Sequence, residues 1–151
     1  MQKIAVIYKS IHHHNTEKVL KEVQKEIPMD LYEVSDLHDT DLSSYDMIGF
    51  ASGIYNSDMH KSLADFVSLS PALPRKSFIL YTSGTNNSYY ASKFRKMLSQ
   101  RGIEVVDIFH CKGHDTYPKI FRPIGGIAKG HPNEKDIQKA KAFVKNLVYI
   151  D

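Results

Sequence analysis

The stretch IAVIYKSIHHHNT, residues 4–16, decides the fold. Ile4 to Tyr8 is an unbroken apolar, β-branched run, the pattern of a strand covered on both faces. A short polar loop follows, and Asn15 or Thr16 offers an N-cap to a helix with Val19, Leu20, Val23 and Ile27 on one face, stopped by Pro28. Strand, short loop and helix in 25 residues is the opening half of a βαβ unit.

The pattern repeats along the chain. Leu31 to Val34 alternates and reads as an edge strand, and the acidic run from Asp36 to Asp46 reads as loop. Met47 to Ala51 predicts a third buried strand. Ser57 or Asp58 then predicts a cap for a helix burying Met59, Leu63, Phe66 and Val67. Ser77 to Tyr81 is a fourth strand. A polar loop leads to a helix with Tyr90, Phe94, Met97 and Leu98 on one side and Gly102 at its end. Ile103 to Phe109 is a fifth strand. The last helix opens at Asn133, with Asp136 three residues on, and buries Ile137, Ala140, Val144 and Leu147. Strands alternating with helices predict an α/β fold: a three-layer, doubly wound, five-stranded parallel sheet of order 2-1-3-4-5 in a single domain, 1–151. In that topology a ligand sits beyond the carboxyl ends of the strands, between strands 1 and 3.

Composition narrows the class. The chain has 151 residues, 42% hydrophobic and 25% charged, with twenty Lys plus Arg against seventeen Asp plus Glu. A net charge of +3, evenly scattered, does not suit a nucleic-acid binder. The one cysteine, Cys111, excludes an internal disulfide framework and suits a reducing compartment. No apolar run approaches the ~20 residues of a membrane span, and residues 1–15 carry no secretory pattern. The expectation is a cytoplasmic protein.

Three loops meet at the predicted crevice: 10–16, 53–58 and 83–88. The first ends at a helix N-terminus, which favours anions, and Ser10, Asn15 and Thr16 add neutral donors. It lacks the glycines and lysine of a P-loop, there is no GxGxxG, and Ser10 stands where a receiver domain needs acidic residues. His12-His13-His14 lies between a strand and a helix, which sets aside an expression tag. Strands 1 and 5 lie about 14 Å apart at ~4.8 Å per strand, so the run is not expected to share a metal with His110, Cys111 and His114.

With these loops in register, the chain resembles the flavodoxin family, and within it a subgroup of short proteins with histidines in the phosphate loop. IAVIYKSIHHHNTEKVLKEV is similar to the family's opening segment, IGFASGIYNSDMHKSL to its second flavin loop and ILYTSGTNNSYYASKFRKML to its third. The tail CKGHDTY…IGGIAKGHPNEKDI also resembles the subgroup. The resemblance implies FMN as cofactor. Ser10, His12, His13, His14, Asn15 and Thr16 would hold its phosphate. Gly53, Ile54, Tyr55 and Asn56 would line one side of the isoalloxazine. Thr82, Ser83, Gly84, Thr85 and Asn86 would meet the ribityl chain and pyrimidine edge. Gly53, lacking a Cβ, could reorient its peptide toward the reduced flavin. The chain departs from the family in its phosphate loop, which has no glycine and one extra residue, in its lack of tryptophan, and in a pI near 8.8 where most members are acidic.

The resemblance implies an electron carrier between soluble redox partners, with no catalytic side chain and no metal. The alternatives are an FMN-dependent NAD(P)H:quinone or protoporphyrinogen-type oxidoreductase acting on a small redox substrate, and a flavin-less binding module on the same fold. The 22-residue segment 111–132, with His114, Asp115, Tyr117, Arg122, Gly125, Gly126, Lys129 and His131, is long for a loop in a compact domain. It could roof the flavin, grip an anionic substrate or partner, or cover the sheet edge.

Overall fold

The computed structural model describes residues 1–116 and 119–150, with backbone alone for 119–121. Tyr117 lies outside the described residues. Ten main elements follow one another: β1 (Ile4–Lys9), α1 (Asn15–Gln24), β2 (Asp30–Glu33), β3 (Met47–Tyr55), β4 (Asp58–Met59), α2 (Lys61–Leu69), β5 (Lys76–Ser83), α3 (Ser92–Gln100), β6 (Glu104–Lys112) and α4 (Glu134–Val148). The sheet runs β2-β1-β3-β5-β6, parallel throughout, as the alternation of strands and helices predicts.

Because side chains alternate along a strand, each buried strand feeds two cores. Ala5, Ile7, Ile48, Phe50, Ile79 and Tyr81 face one layer and pack with Leu63 and Val67 of α2 and Phe94 and Leu98 of α3. Ile4, Val6, Met47, Phe78 and Leu80 face the other and pack with Val19, Leu20 and Val23 of α1 and Ala140, Val144 and Leu147 of α4. Gly49 sits directly opposite Phe78 in the ladder, and a Cβ there would collide with the Phe78 ring. Among the described residues, no helix is long and apolar enough to cross a membrane.

The structure corrects several boundaries. β3 continues past Ala51 to Tyr55 and turns back through Asn56 and Ser57 into β4, a two-residue antiparallel strand that the sequence did not reveal. Both turn residues have positive φ, 51° and 61°, as a two-residue hairpin of type I′ requires. Met59 therefore belongs to a strand, and α2 starts three residues after Asp58, capped by His60 in place of Ser57 or Asp58. α1 ends at Gln24, leaving the buried Ile27 in the turn ahead of Pro28. β6 runs on to Lys112.

Candidate functional site

At the carboxyl ends of β1, β3 and β5 lies a cleft lined by Ser10, Ile11, His12, Asn15 and Thr16 from the first loop. Gly53, Ile54, Tyr55 and Asn56 of the hairpin, and Thr82, Ser83 and Gly84 after β5, complete two more walls. The fourth wall is Gly113, His114 and Asp115, just beyond β6. Eleven of the fifteen residues assigned from sequence thus line one cleft, at the switch between β1 and β3 where this topology places a ligand.

The first loop is strained. His12–His14 form a 3-10 turn in which His13 and His14 have φ of 54° and 52°. Left-handed backbone costs a non-glycine residue roughly 1–2 kcal/mol, and such strain gathers at ligand clamps. Of the seven non-glycine residues with positive φ among those described, six lie in the loops around this cleft: His13, His14, Asn56, Ser57, Asn86 and Ala128. His14, at the N-cap of α1, makes no side-chain cap hydrogen bond; instead Ser10 Oγ accepts from the Glu17 amide at 3.2 Å. The N-terminus of α1, carrying Asn15 and Thr16, is thereby presented to the cleft with its partial positive charge.

The polar side chains around it are already oriented. Thr16 is fully buried and its hydroxyl meets that of Thr82 at 2.9 Å. Asn15 Nδ2 donates to the His114 carbonyl at 2.9 Å. On the hairpin side, the Ile11 amide donates to the Tyr55 hydroxyl at 3.3 Å. The Tyr55 ring lies between His12, at 5.8 Å, and His60, at 4.9 Å edge-on. Burial raises the Tyr55 phenol above its ordinary pKa, so the ring is neutral at physiological pH. Gly53 lies inside β3, paired with Thr82, and its carbonyl accepts from Ser52 Oγ at 2.6 Å.

Four predicted site residues do not line the cleft; they shape it. Thr85 Oγ1 meets the Tyr90 hydroxyl at 2.6 Å. Asn86 Oδ1 meets His110 Nδ1 at 2.6 Å, and that imidazole stacks on the Tyr81 ring. His14 is exposed, with Nδ1 3.7 Å from Glu17. His13 turns toward the segment beyond β6, stacking on His114 with centroids 4.4 Å apart and placing Nε2 3.1 Å from Thr116 Oγ1.

That last contact overturns the expected separation of the histidine run from His114. The 14 Å spacing holds for the strands, but the chain after β6 folds back across the mouth. It forms a strap whose Asp115 pairs with Ile127 in an antiparallel bridge. Ile127 packs where a Cβ on Gly84 would lie, and Gly113 sits so close to Asn15 that a Cβ would come 2.6 Å from Nδ2. His114 Nε2 meets the Gly125 carbonyl at 2.5 Å. No group of three or more potential metal ligands occurs among the described residues. Ile11, Gly113, His114 and Asp115 were absent from the predicted cofactor contacts. The sequence signal for the last three was a glycine followed by two polar residues directly after the last strand.

A ligand for this cleft has defined chemistry. A helix N-terminus with hydroxyl and amide neighbours suits a phosphate. The hairpin supplies an aromatic wall, and Gly84 and Gly113 make room for Ile127 and Asn15 to close the opposite side. Among the described residues, Asp115 is the only carboxylate on the lining. An FMN-sized anion with a planar ring fits this donor set.

Comparison with known proteins agrees with this architecture. Residues 5–120 match the flavodoxin domain family. The chain is 40% identical over 148 residues to an uncharacterized protein of Methanocaldococcus jannaschii, covering 97% of this chain and 98% of that one. A flavodoxin from the domain Archaea superposes with a TM-score of 0.64 at 17% identity, covering 97% of this chain and 96% of its own. A flavoprotein of Lactobacillus acidophilus, solved in complex with FMN, superposes with a TM-score of 0.59 at 13% identity over 73% of this chain and 93% of its own. The sheet order, the cleft and the sequence match agree: the chain belongs to the flavodoxin domain family.

Proposed function

We propose that this protein binds FMN in the cleft and carries electrons between soluble redox partners. The observation that carries the reading is the meeting, at the β1/β3 switch, of the α1 N-terminus, the Ser10 hydroxyl and the Tyr55 ring. On this reading the phosphate lies against the backbone at Asn15 and Thr16, with Ser10 beside it. The flavin ring lies between the Gly53–Asn56 hairpin and the loop Thr82–Gly84. His12 borders the phosphate loop and His13 ties that loop to the strap, while Thr85 and Asn86 hold the third loop in shape. FMN supplies the redox chemistry; the chain binds it, orients it and limits water through Tyr55 and the strap.

The test is the visible absorption spectrum of the purified protein after FMN is added and the excess removed by gel filtration. Flavin bands near one per protein are expected. FMN should bind on the order of a hundredfold tighter than riboflavin, as expected if the phosphate gains charge-assisted hydrogen bonds in the first loop. A colourless protein, or equal affinity for the two flavins, would sink the reading.

The strap supports a second reading, an FMN-dependent oxidoreductase acting on a small molecule such as a quinone, because it walls the cleft with His114 and Asp115. Steady NAD(P)H consumption with a quinone acceptor separates this from a pure carrier.

A further inference from the structure

Near the carboxyl ends of β5 and β6, Tyr81 and His110 are register partners in the parallel ladder. Their rings stack with an interplanar angle of 9° and centroids 5.0 Å apart. Each then reaches past the end of the sheet to one of two consecutive residues of the third loop. The Tyr81 hydroxyl donates to the Asn87 carbonyl, and His110 Nδ1 lies 2.6 Å from Asn86 Oδ1. Neither His110 nor Asn86 lines the cleft.

A carbonyl oxygen only accepts, so the hydrogen of that bond belongs to Nδ1. Burial holds the His110 pKa below the ordinary 6.5. At neutral pH the ring therefore carries one N–H, and Asn86 fixes which nitrogen bears it. Asn86 has a φ of 55°, a left-handed conformation open to asparagine but less favourable than the right-handed one. Its amide donates to Ser83 Oγ at 2.8 Å. The contacts thus run from β6 through Asn86 to the turn Ser83–Gly84, and those two residues line the cleft. The Tyr90 hydroxyl fastens Thr85 and Asn87 from the other side, while Asn86, between them, is fastened from β6.

We propose that His110 is the positioning residue of the third loop: its Nδ1–H, acting through Asn86, sets Ser83 and Gly84 in the orientation that receives the ring and ribityl part of a flavin. The inference rests on the FMN reading for its ligand, and on the hydrogen-bond chain for its geometry. The bond carries the effect, and the stack on Tyr81 aims the imidazole at Asn86. His110→Asn places an amide donor on the same branch of the side chain as Nδ1 and keeps the role. His110→Phe keeps a ring against Tyr81 and loses the role.

The experiment titrates FMN and riboflavin by flavin fluorescence into the full chain, into His110→Phe, His110→Asn and Asn86→Gly, and into the double variant of His110→Phe with Asn86→Gly. His110→Phe should weaken both flavins about tenfold, the worth of one lost hydrogen bond. The ratio between the two flavins should hold, because the phosphate meets the first loop. His110→Asn should stay within about threefold of the parent. Glycine takes a positive φ readily, so Asn86→Gly removes the bond without straining the loop and should match His110→Phe. The double variant should bind no more weakly than either single one. A multiplied loss of about a hundredfold would overturn the proposal, since His110 would then act by another route. So would full affinity in His110→Phe, or a loss in His110→Asn as large as that in His110→Phe. A readout that needs no flavin is amide exchange at Asn86, which should quicken in His110→Phe and not in His110→Asn. Equal exchange in the parent and both variants would also overturn the proposal. If the parent chain retains no flavin, the FMN reading fails, and the exchange rates alone decide the role of His110.

Discussion

His60 caps α2 with a ring nitrogen. Its Nδ1 accepts from the Ser62 amide at 3.1 Å, which only an unprotonated nitrogen can do. Burial first, and then the charge of Lys9, hold its pKa below the ordinary 6.5, and burial does the same to His110. The unfolded chain therefore takes up protons at these positions before the folded protein does. Their stabilisation is complete above about pH 6.5 and is lost as pH falls through the lower folded values. The melting temperature should drop between pH 7 and 5, and His60→Asn, which keeps an acceptor at the N-cap, should flatten part of that slope. Identical slopes in the two proteins would show that the imidazole is not the cap. In the sequence His60 was invisible as a cap because Ser57 and Asp58 are far commoner caps and stand just before it. The hairpin that displaces them depends on two residues adopting positive φ, and neither is glycine.

At the scale of elements, α4 shows what sequence can specify unaided. Asn133 Oδ1 accepts from the Asp136 amide and Asp136 Oδ2 from the Asn133 amide, each at 2.9 Å, a reciprocal box that the spacing alone announced. Asp136 Oδ2 also meets His131 Nδ1 at 2.6 Å, fixing the strap's exit to the helix. Asn133→Ala should cost about 1 kcal/mol in chemical denaturation. A loss within error of zero would mean the strap holds the helix start without the cap. The central strands were equally plain, since Ile4–Ile7, Met47–Ala51 and Phe78–Tyr81 carry no charge and are buried on both faces. β4 escaped notice because two residues give no periodicity to detect. The extension of β3 escaped because Gly53, Ile54 and Tyr55 read as the start of a loop.

At the scale of the whole molecule, the three loops of the cleft follow from topology, whereas its fourth wall does not. Gly113, His114 and Asp115 reach the site because Gly113 and His114 pack against Asn15, Thr116 against His13 and Ile127 against Gly84, contacts that join residues between 43 and 103 positions apart. Local pattern carries no trace of such pairing. Gly113→Ala would push a methyl against the Asn15 amide and loosen the strap from the first loop. FMN affinity should fall by roughly tenfold with little change in melting temperature. Amide exchange at His114 and Asp115, whose amides donate to His131 and Ile127, should speed up. Unchanged FMN affinity would assign the strap to covering the sheet alone. The late origin of this wall also sets an order in time. A chain emerging from the ribosome can assemble β1, β3 and β5 with their loops, yet its cleft stays open on one side until the residues through His131 are free of the exit tunnel. Flavin loading then follows synthesis of the strap, and α4, whose Ala140, Val144 and Leu147 cover one face of the sheet, emerges later still.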